Sequence, residues 1–283
     1  MATPTAALQP PRRSEALVDT RRRPGAPSRS RPFDSGMLAG LAIAIVATLA
    51  GIALTRVKAT YFFQPTGVLI VLGGTLGVTL MTAPRLSLIR SACRVANLFR
   101  PQTIDREALI DEMIGYARAA RKEGILTIEP LIASASHPFL REMMALAVDL
   151  NQRAAFQATI EGKVRLCERQ GEADAKALEI AGGFAPTIGV LGTVVGLIDV
   201  LQQFSDPATI AIGIGTAFVS TIYGLGLANL VLLPAACRIR VSVAEEFELQ
   251  EMMLEGGLGL FDGPHPAVLR ERLSGYLHAA GEP

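Results

Sequence analysis

Four long stretches without a charged side chain dominate this sequence: residues 36–55, 59–84, 180–198 and 207–237. Crossing a hydrocarbon core takes roughly 20 helical residues at about 1.5 Å each, so each stretch is long enough to span a bilayer. Placing four such runs in a water-soluble protein would need four wholly buried helices of that length, which a chain of 283 residues seldom builds. The sequence therefore predicts an all-α membrane protein with four transmembrane helices, in two closely linked pairs. Tyr61, Phe62 and Phe63 begin the second run as an interfacial aromatic belt.

Basic residues give the sidedness. Seven Arg lie in residues 1–35, Arg85, Arg90, Arg94 and Arg100 follow the second run, and Arg238 and Arg240 follow the fourth. The turn at 204–207, between the third and fourth runs, has none. By the positive-inside rule both termini and the long middle segment are cytoplasmic, and the turns face the periplasm or exterior. An Arg-rich start before an apolar run also fits a cleaved signal peptide, but such a peptide's apolar core has only about 7 to 15 residues. Residues 1–35, rich in Arg, Pro and Ser without apolar periodicity, read as a disordered cytoplasmic tail.

The domain organisation follows: spans 1 and 2 over 36–84, a cytoplasmic helical domain over 85–179, spans 3 and 4 over 180–237, and a cytoplasmic C-terminal helical segment over 238–283. The middle domain holds 14 Lys+Arg and 13 Asp+Glu, about half of the chain's charge. Within it Leu109, Ile110, Met113, Ile114, Ala117 and Ala120 recur at helical spacing, with Asp105 suited to cap that helix and Gly124 to end it. Pro138 suits the first turn of a second helix carrying Phe139, Leu140, Met143, Met144 and Leu150. A third, from about Ala155, runs towards the membrane without a proline before Pro186 and predicts a long rod. Val241 to Glu255 reads as a helix that Gly256-Gly257 breaks, with a last short helix over Pro266 to Leu277.

Several functions are disfavoured. With 27 Lys+Arg against 26 Asp+Glu there is no chain-wide basic surface for nucleic acid. Cys93, Cys167 and Cys237 form no CxxC pair, and His137, His265 and His278 no metal-ligand cluster. There is no phosphate-cradling loop, no nucleophile-base arrangement, and hence no expected enzyme activity, cofactor or metal.

Spans 3 and 4 carry ordered small residues. Pro186, Gly189, Thr193 and Gly196 are 3, 4 and 3 apart, and Ala217, Thr221, Gly224 and Ala228 are 4, 3 and 4 apart. Each set lines one helix face and lets another helix approach closely. Such a face is either a packing seam, with its threonines bonded back to their own helix, or the wall of a pathway. Apart from Asp199, at the edge of span 3, no Asp, Glu, Lys, Arg or His lies within the four spans. Proton transport ordinarily needs such a group, so another chain would have to supply it. Pro186 and Pro234 interrupt the helical ladder and serve as hinges or shape the span ends.

The segments AGGFAPTIGVLGTVVGLIDVLQQFSDP (181–207) and GTAFVSTIYGLGLANLVLLPAACRIR (215–240) resemble the MotA/TolQ/ExbB family, in particular its MotA/PomA flagellar-stator branch. GGTLGVTL (73–80) with Pro84 resembles the second span of that branch, and EEFELQEMMLEGGLGLFDGPHPAVLRERL (245–273) its C-terminal segment. The resemblance covers roughly residues 36–278. It implies a stator subunit that couples inward flow of H+ or Na+ to rotation of the flagellar motor, in motility and chemotaxis. It implies a homopentamer around a MotB-like single-span partner dimer whose aspartate binds the ion. Thr193, Thr221, Pro186, Gly189, Gly196, Ala217 and Gly224 would then line the pathway and the partner helices, with Pro234 a hinge at the cytoplasmic end.

The same resemblance implies a charge contact with the rotor protein FliG through Arg121 and Glu129, eight positions apart in AARKEGILTIE. Where some flagellar stators carry an acidic residue, about 23 residues before Pro186, this chain has Lys163, a departure that bears on the rotor contact. The N-terminal tail is a second departure. Competing readings are a TolQ/ExbB-like subunit energising another envelope machine, a stand-alone secondary transporter using Asp199, and a membrane scaffold. The large insert between spans 2 and 3 argues against the first of these.

Overall fold

The structure, a computed structural model, describes residues 35–54, 62–98, 104–202 and 207–279. The tail up to residue 34, Tyr61 of the aromatic belt and residues 204–206 of the outer turn lie outside them. The described residues are helical with no strand, as the absence of period-two alternation predicts. Helix α1 (Ser35–Leu54) and α2 (Pro65–Thr82) come from the first two apolar runs, and α3 (Arg85–Leu98) follows α2 across the Ala83-Pro84 corner. Three described helices are long and apolar enough to cross a membrane: Pro65–Thr82, Arg153–Leu201 and Gly213–Asp262. Ala42–Leu54 is a shorter apolar stretch of α1.

Local chemistry sets the charged part as expected. In α4 (Arg106–Glu123) the Asp105 carboxylate accepts from the Ala108 N–H at 3.1 Å, and Gly124 ends the helix at φ 92°, a left-handed value that favours glycine. A 3-10 turn (Ile125–Ile128) and the short α5 (Glu129–Ile132) lead to α6 (Pro138–Leu150). Proline takes the first turn of α6, and His137 Nδ1 accepts from the Phe139 N–H at 3.2 Å.

Helix α7 (Arg153–Leu201) is the predicted rod: 49 residues, or about 74 Å at 1.5 Å per residue. It continues through Pro186 without ending, although that residue cannot donate to the Gly182 carbonyl. Helix α8 (Pro207–Gly226) passes through a π turn (Leu227–Leu232) into α9 (Leu233–Asp262), and α10 (Pro266–Ala279) closes the described chain.

The expected break at Gly256-Gly257 does not occur, because those glycines serve packing. A Cβ on Gly256 would come 2.5 Å from Met113 Sδ, one on Gly257 2.8 Å from Phe156 Cζ, and one on Gly259 2.8 Å from Leu269 Cδ1. The helix accepts weak intrinsic propensity there in exchange for close approach. The core it enters joins Leu109, Ile110 and Met113 of α4, Leu140 and Met143 of α6, Phe156 and Ile160 of α7, Met252 and Met253 of α9, and Leu269 and Leu273 of α10. The middle segment and the C-terminal segment thus share one head.

Between this head and the apolar helices, α3 is tied to α7 by a buried ionic cluster. Asp174, with no exposed surface, accepts from Arg90 Nε at 3.0 and 3.2 Å and from Arg94 Nε at 3.2 Å. The Ser91 hydroxyl donates to the Asp174 carbonyl at 2.6 Å, and Arg94 reaches Glu246 of α9 at 3.6 Å.

Candidate functional site

The two small-residue stripes face one another. Gly196 lies against Ala217, where an added Cβ would meet the Ala217 Cβ at 2.9 Å. A Cβ added to Gly189 would come 3.0 to 3.3 Å from the backbone of Ser220, Thr221 and Gly224, and one on Gly224 would reach the Ala185 carbonyl oxygen at 2.5 Å. Bare backbone meets bare backbone along this seam, the closest approach two helices can make. Gly189, Thr193, Ala217 and Gly224 are buried, and Pro186, Gly196 and Thr221 half-buried.

One polar pair sits in the seam. The Thr193 hydroxyl donates to the Gly189 carbonyl of its own helix at 3.2 Å, and its oxygen lies 2.5 Å from the Thr221 hydroxyl oxygen. With the Thr193 proton on the Gly189 carbonyl, Thr221 can donate across the seam, and either hydroxyl oxygen can serve as donor in the pair. Packing and chemistry therefore coincide here: the stripes make a seam, and the seam holds two adjacent hydroxyl oxygens.

Helix α2 covers one flank in the same manner. Gly67 and Gly192 both abut Ser220, with Cβ approaches of 2.7 Å to its Oγ and 2.9 Å to its Cβ, and Gly74 abuts Ile188. Tyr223 of α8 donates its hydroxyl to the Phe62 carbonyl and accepts from the Gln64 N–H at 3.3 Å, pinning the start of α2. Thr79 donates to the Thr75 carbonyl at 2.6 Å. The other flanks are apolar and exposed, including Val190, Val194 and Ile198 of α7 and Phe218, Ile222 and Leu225 of α8. Asp199 is exposed near the α7 end.

Pro234 stands in the first turn of α9, directly after the π turn. That turn was not foreseen in the sequence. Proline removes a donor from the ladder, and the wider turn before it lets the Leu233 N–H reach back five residues to Ala228. The signal was there in part, since a proline within a long apolar run demands some relief of the ladder.

Arg121 and Glu129 lie apart from the seam, both exposed on the head and separated by Gly124 and the 3-10 turn. Lys163 is ion-paired with Glu142 of α6. Nearby Glu112 binds Ser136 through both oxygens, to its N–H at 3.1 Å and its hydroxyl at 2.5 Å. Burial pushes the Tyr116 hydroxyl well above its ordinary range, helped by its 2.7 Å bond to Glu112, and burial lowers the His137 imidazole against the opposing pull of Glu246 and Glu112. Sequence reasoning singled out neither Glu112 nor Asp174, because their partners lie 24 and at least 80 residues away. No group of three His, Cys, Asp or Glu side chains suited to a metal exists among the described residues.

Comparison with known proteins gives a consistent assignment. A family model described as the MotA/TolQ/ExbB proton channel family matches residues 132–252. Motility protein A of Bacillus subtilis (strain 168) is 30% identical over 252 residues, covering 87% of this chain and 92% of its own. Chemotaxis protein PomA of Vibrio alginolyticus is 27% identical over 243 residues, 86% of this chain and 93% of its own. Among solved structures, the flagellar MotAB stator complex from Bacillus subtilis matches with a TM-score of 0.77 at 29% identity, covering 86% of this chain and 96% of that one. C. jejuni MotAB, at 21% identity, shares the fold with a TM-score of 0.79 over 86% of this chain and 95% of that one. On the 30% identity to motility protein A along 87% of its own length and the all-helical architecture with its apolar helices, this chain belongs to the MotA/TolQ/ExbB proton channel family.

Proposed function

We propose that this chain is the ion-conducting stator subunit of a flagellar motor, which with a MotB-like partner couples inward flow of H+ or Na+ to rotation. The carrying observation is the α7–α8 seam, in a chain 30% identical to motility protein A: it holds two hydroxyl oxygens 2.5 Å apart and no carboxylate. A pathway with hydroxyls and no titrating acid is half of a site. The other half is an aspartate on the partner's single span, a dimer of which sits inside a homopentamer of this chain.

In this reading α1 joins α2, α7 and α8 as four spans of the inner membrane, with both termini, the 85–179 domain and the 238–283 segment in the cytoplasm. The distribution of arginines around the apolar runs supports that orientation. Thr193, Thr221, Pro186, Gly189, Gly196, Ala217 and Gly224 line the pathway and the partner helices, and Pro234 with its π turn is the flexible point towards the head. Arg121 and Glu129 present opposite charges to the rotor protein FliG, a contact suited to repeated engagement and not to tight binding.

The mechanism follows from charge. An ion reaching the partner's carboxylate neutralises it, and a neutral acid fits among glycines and threonine hydroxyls where a bare carboxylate does not. Loss of the ion inward restores the charge and moves the ring one step. A membrane potential supplies about 2.3 kcal/mol per elementary charge per 100 mV, several times thermal energy, so one or a few ions can drive each step.

The test is complementation of a motile strain deleted for this gene. Wild-type chain with its partner should restore swimming, and Thr221→Val, which keeps the side chain's shape and removes the hydroxyl, should slow it and alter its dependence on pH or sodium. Unchanged speed and ion dependence in the valine variant would show that the seam is packing alone.

A further inference from the structure

We propose that Glu112 is a positioning residue for rotor engagement: it fixes the turn that carries Glu129 at a set place relative to Arg121. This rests on the rotor-face reading of Arg121 and Glu129. Arg121 is held directly by α4, of which it forms part of the last turn. Glu129 has no such support of its own. It opens α5, a helix of four residues, too short to persist by itself.

Ile132 packs α5 against the core, and its two ends are fixed on either side. On the near side Ile128, fully buried, anchors the 3-10 turn in the core. On the far side Glu112 reaches from α4 to residue 136 and accepts from both its N–H and its hydroxyl, at 3.1 and 2.5 Å. The Tyr116 hydroxyl donates to Glu112 at 2.7 Å and steadies the carboxylate. Arg141 of α6 donates to the Ala135 carbonyl at 3.1 Å from the other direction.

Both members of the rotor pair are thus referred to one rigid element. Arg121 is covalently part of α4, and Glu129 is tied to α4 nine residues earlier through Glu112. A charged acceptor making two bonds on one partner residue gives a fixed geometry, not just an attraction. The distance between the presented cation and anion is then set by the protein and not by a mobile loop, which is what a surface engaging a moving partner repeatedly requires.

The test uses the full chain with its partner in a motile strain lacking its own copy. Four readouts are taken: rotation at high load, ion conductance of the complex, melting of the purified complex, and accumulation in the membrane. Glu112→Ala is expected to lower rotor engagement about tenfold, the equivalent of one charge-assisted hydrogen bond. Conductance should stay near wild type, because the seam shares no partner with this turn, and melting should fall only by the few degrees that the lost bonds in the head imply. Glu112→Gln, which keeps an acceptor for the Ser136 N–H, should recover part of the loss, and Ser136→Ala should show a smaller loss in the same direction. Ser136→Ala carries the test if Glu112→Ala fails to accumulate.

Arg121→Ala and Glu129→Ala are run beside them. If either of these stalls rotation while Glu112→Ala and Ser136→Ala rotate as wild type, the positioning role is wrong and the rotor face stands. If conductance falls together with rotation in Glu112→Ala, the residue supports the fold in general and the proposal is overturned. If Arg121→Ala and Glu129→Ala rotate as wild type, the rotor face itself is misassigned, and the role of Glu112 fails with it.

Discussion

Removing both arginines that hold Asp174 should destabilise this protein more than removing Asp174 itself. The asymmetry comes from exposure. The Asp174 side chain has no exposed surface, whereas those of Arg90 and Arg94 are 41% and 31% exposed. In an Arg90→Ala/Arg94→Ala chain the carboxylate stays in the helix contact without its three guanidinium bonds, and stranding a buried charge costs about 3 to 5 kcal/mol. In Asp174→Ala the two guanidiniums can turn to water, and Arg94 keeps Glu246 at 3.6 Å, so the loss is about 1 to 2 kcal/mol in bonds and packing. For a domain of this size about 2 kcal/mol of difference separates the melting midpoints by roughly 4 to 8 °C. Circular dichroism melts of the purified protein in detergent would measure it. The triple variant, lacking all three side chains, should melt near Asp174→Ala and above the double. If the double variant melts at or above Asp174→Ala, or the triple below the double, the cluster is not a buried charge held by its partners.

At Gly224 an added methyl would come 2.5 Å from a backbone oxygen, so Gly224→Ala should force the seam apart, costing about 1 to 3 kcal/mol and with it ion-driven motility. Gly183→Ala, in the α7 rod with nothing within 4 Å of the new methyl, should instead be neutral or stabilise by up to about 1 kcal/mol; equal effects at both sites in a melting assay would contradict the close-contact reading. His137 has a folded-state value below its ordinary one through burial, so folding disfavours its protonation. Its contribution is therefore intact above about pH 6.5 and is lost as pH falls from there through the lowered value. His137→Asn, which keeps a cap acceptor, should flatten the acid side of a melting-against-pH profile, and an unaltered profile would assign the acid loss to other groups.

Much of this architecture was legible because it is local. Asp105, Gly124 and Pro138 mark helix ends through bonds made within a few residues, and the seam could be foreseen from the 3 and 4 spacing of glycine, alanine and threonine. The rod could be read from the absence of proline over its first half. What escaped was set by residues far apart in the chain. Gly256-Gly257 carries the composition of a breaker, yet its lack of side chains is used to admit Met113 and Phe156, more than 90 residues earlier. Asp174 and Glu112 look like any other charges in a strongly charged segment, and only the meeting of α3 with α7, or of α4 with the 133–136 turn, reveals them as buried or bonded. Which side of the seam would admit an ion on the proposed reading depends on neighbouring chains, and no periodicity within one chain encodes that.

The π turn at Leu227–Leu232 makes the length of that segment matter more than its composition. By closing bonds over five residues it accommodates one residue beyond the α-helical ladder, and one residue is about 100° of rotation around a helix axis. The side of α8 that enters the seam and the side of α9 that carries Met252 and Met253 into the head are thus phased by that one extra position. Apolar residues of similar size could replace one another at 227–232 with little consequence. A single deletion there, by contrast, would turn the head by about a quarter of a revolution relative to the seam, so genes for this fold should drift freely in the letters of this stretch and hardly at all in their number.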